Sequence, residues 1–108
     1  MDNAVNRADA GVRAVLDALL RDYQPHHPRA VIDAYRYSPV TIRVRVVDPD
    51  FAGKDIVDRE DMVWPTLEAL PDSLREDVSM VLMLTPEEKA TSPANAEFDH
   101  PTPSRLAT

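Results

Sequence analysis

The sequence predicts an α+β fold, with a three-stranded mixed sheet and helices packed on one face, in the order helix, strand, strand, helix, strand, short helix. Three observations support this fold: an apolar stripe at helical spacing, a run that alternates apolar and polar residues, and a later continuous apolar run. The 108 residues suit one domain. We expect a flexible N-terminus over 1–7, the folded domain over 8–90 and a disordered, proline-rich tail over 91–108.

The first helix is predicted over residues 8–23. Its apolar side chains recur at i, i+3, i+4, i+7 and i+8, which places them on one face. These residues are Val12, Val15, Leu16, Leu19 and Leu20. Arg21 suits the last turn because a cation interacts favourably with the helix dipole there, and Pro25 ends the helix.

Two strands are predicted next, over 30–37 and 41–47. The first is rich in branched and aromatic residues, and Ser38-Pro39 follows it as a turn signal. The second alternates, which predicts one buried face and one face in contact with water. The buried face would hold Ile42, Val44 and Val46, and the wet face Thr41, Arg43 and Arg45. The short connection favours an antiparallel hairpin.

The stretch "DFAGKDIVDRED", residues 50–61, raises the question of a phosphate loop, a metal site or a simple turn. It lacks the second glycine of a phosphate loop and the spacing of a calcium loop, so we interpret it as the turn between sheet and helix. Phe51 is expected to fold back as an apolar plug, and Gly53 to permit the turn. The following helix should begin within a turn of Pro65 or break there.

The third strand is predicted over 77–85, from "DVSMVLMLT". It is apolar on both faces, which is typical of a strand that is central or covered on both sides. "TPEEKA" then predicts a short helix with Thr85 as its N-cap and Pro86 at its first position.

Composition excludes several classes of function. The absence of cysteine rules out disulfides, thiolate nucleophiles and cysteine metal sites. A net charge of −7 disfavours binding to nucleic acid. The longest apolar run is 80–84, too short for a membrane span, and the N-terminus shows no secretion signal, so we expect a cytoplasmic protein.

The ordered set of segments resembles the BolA family over about residues 12–90. The segments are "DYQPHHPRAVIDAYRY", "VRVVDPDFAGKDIVDRE", "TLEAL" and "DVSMVLMLTPEE". The resemblance implies a fold like that of class II KH domains, and it implies a monothiol glutaredoxin as partner in handling an iron–sulfur cluster. Where the family usually has Arg-His, this chain has Arg59-Glu60, and where it has Val-His, this chain has Val78-Ser79. Cluster iron prefers thiolate or imidazole, so we expect no cluster and no other cofactor.

The best candidate binding patch is formed by basic and aromatic residues. Arg43 and Arg45 lie on the polar face of the second strand, where Tyr35 and Tyr37 of the first could join them in a cation–aromatic surface. The candidate partner-binding residues are Tyr35, Tyr37, Arg43, Arg45, Lys54 and Arg59. We predict neither catalytic nor metal-binding residues, because adjacent side chains such as His26 and His27 diverge in an extended segment.

We therefore predict a small non-enzymatic, BolA-like interaction module that binds a protein partner, without an iron–sulfur cluster. Two alternatives stay open. One is a KH-like regulator that binds nucleic acid, although the chain has only Gly11 and Gly53 and so lacks a Gly-x-x-Gly clamp. The other is a BolA-type partner of a monothiol glutaredoxin in iron–sulfur cluster handling.

Overall fold

A computed structural model describes residues 9–92 and Phe98, which form an α+β arrangement of helices around a three-stranded sheet. The elements in chain order are α1 Ala10–Asp22, β1 Val31–Ser38, β2 Thr41–Val47, α2 Ile56–Glu68, α3 Asp72–Asp77, β3 Val78–Leu84 and α4 Pro86–Thr91. The predicted α+β class with a three-stranded mixed sheet is confirmed, and the predicted elements follow one another in the predicted order, with α3 as one further helix. The predicted flexible N-terminus, and all of the predicted disordered tail beyond residue 92 except Phe98, lie outside the described residues.

The sheet is mixed, as predicted, with the strand order β1-β2-β3. β1 and β2 form the expected antiparallel hairpin, in which Ala34 lies opposite Val44. β2 and β3 run parallel, with Val44 beside Val81. β3 was predicted to be either central or covered on both sides. The central position was wrong, because β2 is the central strand of the described sheet.

The core lies between one face of the sheet and the helices α1 and α2. It joins α1 to β2 and α2 through fully buried side chains. Its members include Val12, Val15, Leu19, Val44, Val46, Phe51, Val63 and Leu67, all 0 % exposed. Phe51 is thus the apolar plug that the sequence predicts. The opposite face of the sheet carries Tyr35, Arg43 and Arg45.

Helix α2 begins nine residues before Pro65 (65 − 56 = 9), so the prediction of a start or break at this proline was wrong. Asp55 caps the helix, and its side chain accepts a hydrogen bond from the Asp58 amide at 2.9 Å. Pro65 has no N–H to donate to the preceding turn, which costs helix stability. Val63 and Leu67 are nevertheless fully buried on either side of it, and this burial holds the helix together.

Two local features complete the frame. Helix α3, between Pro71 and β3, was not predicted from the sequence. Gly53 has a φ of 77°, the left-handed conformation in which glycine lacks the steric penalty of other residues, so its predicted role in the turn is confirmed.

Among the described residues, none of the helices has the length and apolar character needed to cross a membrane.

Candidate functional site

The sheet face opposite the helices, called the open face below, gathers the four strand residues of the predicted patch. Register places Tyr35 beside Arg43 across the hairpin and Arg43 beside Met80. It likewise places Asp33 beside Arg45 and Arg45 beside Leu82. Neighbours in register share a face of the sheet. The open face therefore combines arginines along β2, polar and aromatic side chains along β1 and apolar ones along β3.

Arg43 is held in place by both tyrosines. Its Nη1 donates a hydrogen bond to the Tyr35 hydroxyl at 3.1 Å. The guanidinium carbon lies 3.7 Å from the centre of the Tyr37 ring, in a cation–π contact. Because the ring and the hydroxyl fix the guanidinium from two directions, Arg43 is preorganised on the open face.

Arg45 is buried, with 4 % of its surface exposed. The prediction that it lies on a water-facing side was therefore wrong, although its alternation with Val44 and Val46 was right. Its Nη2 and Nε donate to Asp33 Oδ2 at 2.7 and 3.2 Å, which pairs the buried charge. A residue far along the chain, Phe98, covers it.

Phe98 packs on the open face and is 8 % exposed. Its ring meets that of Tyr35 edge-to-face, with centroids 5.2 Å apart and an interplanar angle of 83°. The guanidinium carbon of Arg45 lies 5.2 Å from the Phe98 ring centre. Tyr35 is only 1 % exposed. No signal near residues 35–45 indicated this cover, because it comes from the segment predicted to be disordered.

The other two predicted binding residues, Lys54 and Arg59, lie at the α2 side of the molecule. Arg59 donates to the Met83 carbonyl at 3.0 Å and to both carboxylate oxygens of Glu88 at 2.6 and 3.1 Å. It also donates to the Lys54 carbonyl at 2.9 Å, and its side chain is only 11 % exposed. The Arg59 hydrogen bonds, followed by one from the Thr85 backbone, lower the pKa of Glu88 to about 2. Arg59 thus joins α2 to β3 and α4, while the Lys54 side chain is exposed.

A second cluster of ionisable groups, which sequence reasoning missed, lies where α1 and β2 end. The Tyr23 hydroxyl donates to Asp48 Oδ2 at 2.6 Å, and Asp48 is fully buried. His27 Nδ1 lies 2.8 Å from Asp50 Oδ2 and 3.3 Å from Asp48 Oδ2, and its ring stacks on Tyr23 at 4.2 Å. The only sequence signal was the proximity of "HHP" and "DPD" to the ends of neighbouring elements.

The electrostatics of this cluster follow from burial and pairing. The pKa of Tyr23 is raised well above its usual range. Burial of the hydroxyl is the largest cause, and the hydrogen bond to Asp48 is the second. The hydrogen bond with His27 is the main reason that the pKa of Asp50 lies below its usual value. The cluster therefore favours a neutral Tyr23 and a charged Asp50.

The spacing of the cluster suits a small cation, since one donor atom each from His27, Asp48 and Asp50 lie within 4.8 Å of one another. The same atoms already serve the fold. Asp48 accepts from the Tyr23 hydroxyl and, through Oδ1 at 2.9 Å, from the Asp50 amide. We therefore interpret the cluster as a polar clamp that joins α1 to the end of β2.

Comparisons of the chain with models of protein families, with curated proteins and with solved structures found no match. The BolA-like identity and the partner consequently remain predictions from the sequence motifs.

Proposed function

We propose that the chain is a small, non-enzymatic, BolA-like interaction module whose open face binds a protein partner. The order of helices and strands and the mixed sheet agree with the scaffold that the BolA resemblance implies. The observation that carries the proposal is the fixed position of Arg43 between the Tyr35 hydroxyl and the Tyr37 ring. Tyrosine and arginine are enriched at the energetic centres of protein interfaces. A preorganised arginine also loses less conformational entropy on binding.

The proposal does not require an iron–sulfur cluster. The sequence contains no cysteine, and the matched histidine positions hold Glu60 and Ser79, whose oxygen atoms are poor ligands for cluster iron. The alternative, cluster handling with a monothiol glutaredoxin, predicts a coloured, iron-containing complex when the two proteins are produced together. We expect a colourless preparation, and absorption bands of a cluster with stoichiometric iron would contradict that expectation.

The KH-like alternative, in which the chain binds nucleic acid, finds less support. The net charge of −7 repels phosphate, and Arg45 is already paired with Asp33. We expect no salt-sensitive shift of a labelled single-stranded oligonucleotide at physiological salt. A shift that weakens as salt rises would favour the nucleic-acid alternative instead.

The decisive experiment compares proteins captured by the wild-type chain and by the Arg43→Glu variant. Arg45→Glu is less suitable, because it would bury a carboxylate beside Asp33. Arg13→Glu is the matched control, since it makes the same charge change on the exposed side of α1, where Arg13 is 58 % exposed. We expect wild type and the control to capture the same specific protein and Arg43→Glu to lose it. Circular dichroism and urea unfolding establish that all three chains fold.

Equal capture of that protein by Arg43→Glu and wild type would refute binding through the open face.

A further inference from the structure

Phe98 occupies the open face as a ligand would. It packs beside Tyr35 and Arg45, two strand residues, and belongs to the part of the chain that follows α4. The ring makes an edge-to-face contact with Tyr35 and a cation–π contact with the Arg45 guanidinium, and both contacts are favourable. The open face therefore has a built position for one aromatic side chain.

Charge complementarity extends this recognition beyond the ring. In the sequence Phe98 is flanked by Glu97 and Asp99, within "NAEFDHP". The open face that receives it carries Arg43, and Arg45 is paired there with Asp33. An aromatic residue between carboxylates thus matches an aromatic surface that contains cations.

We propose that the open face is a docking site for short acidic peptides with a central aromatic residue, and that Phe98 occupies this site intramolecularly. The proposal rests on the proposed function and names both the partner's chemistry and its regulation. A partner segment with this chemistry displaces Phe98 in order to bind. The chain thereby competes with its own partner.

The tether sets the strength of this competition. Phe98 follows the end of α4 at Thr91 by only the residues 92–97, and a tether of this length gives effective concentrations of about 1 mM. Suppose that a free peptide of this type binds the vacant face with a Kd of about 100 μM. The effective concentration of Phe98 then exceeds this Kd about 10-fold, so Phe98 occupies the face in most molecules. The apparent affinity of the chain for the peptide is therefore weakened about 11-fold. Removing the Phe98 ring should restore that affinity.

The test uses a fluorescein-labelled peptide of residues 94–102, "ANAEFDHPT", titrated with full-length chains and followed by fluorescence polarisation. We expect Phe98→Ala to bind it about tenfold more tightly than wild type. Leu106→Ala, a change of another apolar residue in the same tail, is the matched control and should behave as wild type. A peptide with alanine in place of phenylalanine should not bind, and Phe98→Ala combined with Arg43→Glu should lose binding.

Equal peptide affinity for wild type and Phe98→Ala would overturn the intramolecular competition. Absence of binding to Phe98→Ala at millimolar peptide would overturn the docking site, whether or not urea unfolding shows the variant to be destabilised. The two proposals also fail separately. Protein capture that depends on Arg43, without peptide binding, leaves the proposed function standing and removes this inference. Peptide binding that requires Arg43, without any protein whose capture requires it, supports the docking site and counts against the proposed function.

Discussion

Replacing Tyr23 by phenylalanine removes one oxygen atom from the polar clamp at the ends of α1 and β2. The lost hydrogen bond spans 2.6 Å and joins a tyrosine that is 2 % exposed to Asp48, which is 0 % exposed. Hydrogen bonds to charged groups contribute about 1.5–3 kcal/mol to stability. That range includes the cost of leaving the Asp48 carboxylate with one hydrogen bond fewer. Water does not readily supply the missing donor, because Asp48 is fully buried.

The lower half of the range is the better expectation. After the substitution Asp48 still accepts from the Asp50 amide at 2.9 Å and lies 3.3 Å from His27 Nδ1. The phenyl ring also keeps its stack on His27. We therefore expect the free energy of unfolding to fall by about 2 kcal/mol, which lowers the Tm by roughly 8–16 °C in a domain of this size.

Urea unfolding followed by circular dichroism measures this change. Tyr37→Phe is the matched control, because it removes the same atom from a tyrosine whose described contact with Arg43 is made by the ring. It should change stability by less than about 0.5 kcal/mol. A loss below about 0.5 kcal/mol for Tyr23→Phe would refute the reading of the cluster as a clamp. Additive effects of Tyr23→Phe and Asp48→Asn in a double-mutant cycle would refute it as well.

The same substitution predicts a difference at alkaline pH. The folded-state pKa of Tyr23 is raised above the unfolded value of about 10, so the folded chain retains this proton more tightly. The resulting stability is fully present below pH 10 and is lost as the pH rises further. Between about pH 10 and 11, wild type should lose stability more steeply than Tyr23→Phe, and parallel curves would contradict the prediction.

Three further predictions concern the frame around the open face. The pKa of Glu88 is depressed from 4.5 to about 2, so its pairing with Arg59 contributes stability above about pH 4.5 that is lost as the pH falls towards 2. Glu88→Gln should flatten this acid dependence by up to about 1 kcal/mol, given the partial exposure of the pair, whereas Glu87→Gln should not. Phe51→Ala should cost about 3–5 kcal/mol in urea unfolding, because the ring is fully buried. Gly53→Ala should cost about 1–2 kcal/mol because of the left-handed backbone alone, since a Cβ there meets nothing within 4 Å. An unchanged unfolding midpoint in Phe51→Ala or in Gly53→Ala would refute the role given to that residue.

Local patterns predicted much of the fold because they depend on neighbouring residues. The helix around Val15 and the hairpin around Ser38 follow from side-chain periodicity and a short turn, and both are present. The start of α2 was predicted wrongly, because the expectation that proline starts or breaks a helix considers only the hydrogen bond that proline cannot donate. In the folded chain the burial of Val63 and Leu67 outweighs the hydrogen bond that Pro65 cannot make.

The candidate site was predictable only in part, because its decisive contacts join distant parts of the chain. Alternation placed Arg43 and Arg45 on one face, and the register of the hairpin brings Tyr35 to the same face. The contact between Arg45 and Phe98 joins two residues that no periodicity connects. The parallel pairing of β3 with β2 and the approach of His27 to Asp50 are likewise long-range, and nothing in either segment encodes its partner.

The two faces of the sheet differ in how readily they can be uncovered. The helix face is sealed by α1 and α2, whose apolar stripes form the only large core among the described residues, so its exposure amounts to unfolding. The open face is covered by Phe98, whose burial contributes about 1.5–3 kcal/mol and its aromatic contacts about 1–2 more. Fixing the backbone and side chain of Phe98 opposes this with roughly 1–3 kcal/mol. The difference is a few kcal/mol, so a partner segment of modest affinity is sufficient to exchange with Phe98.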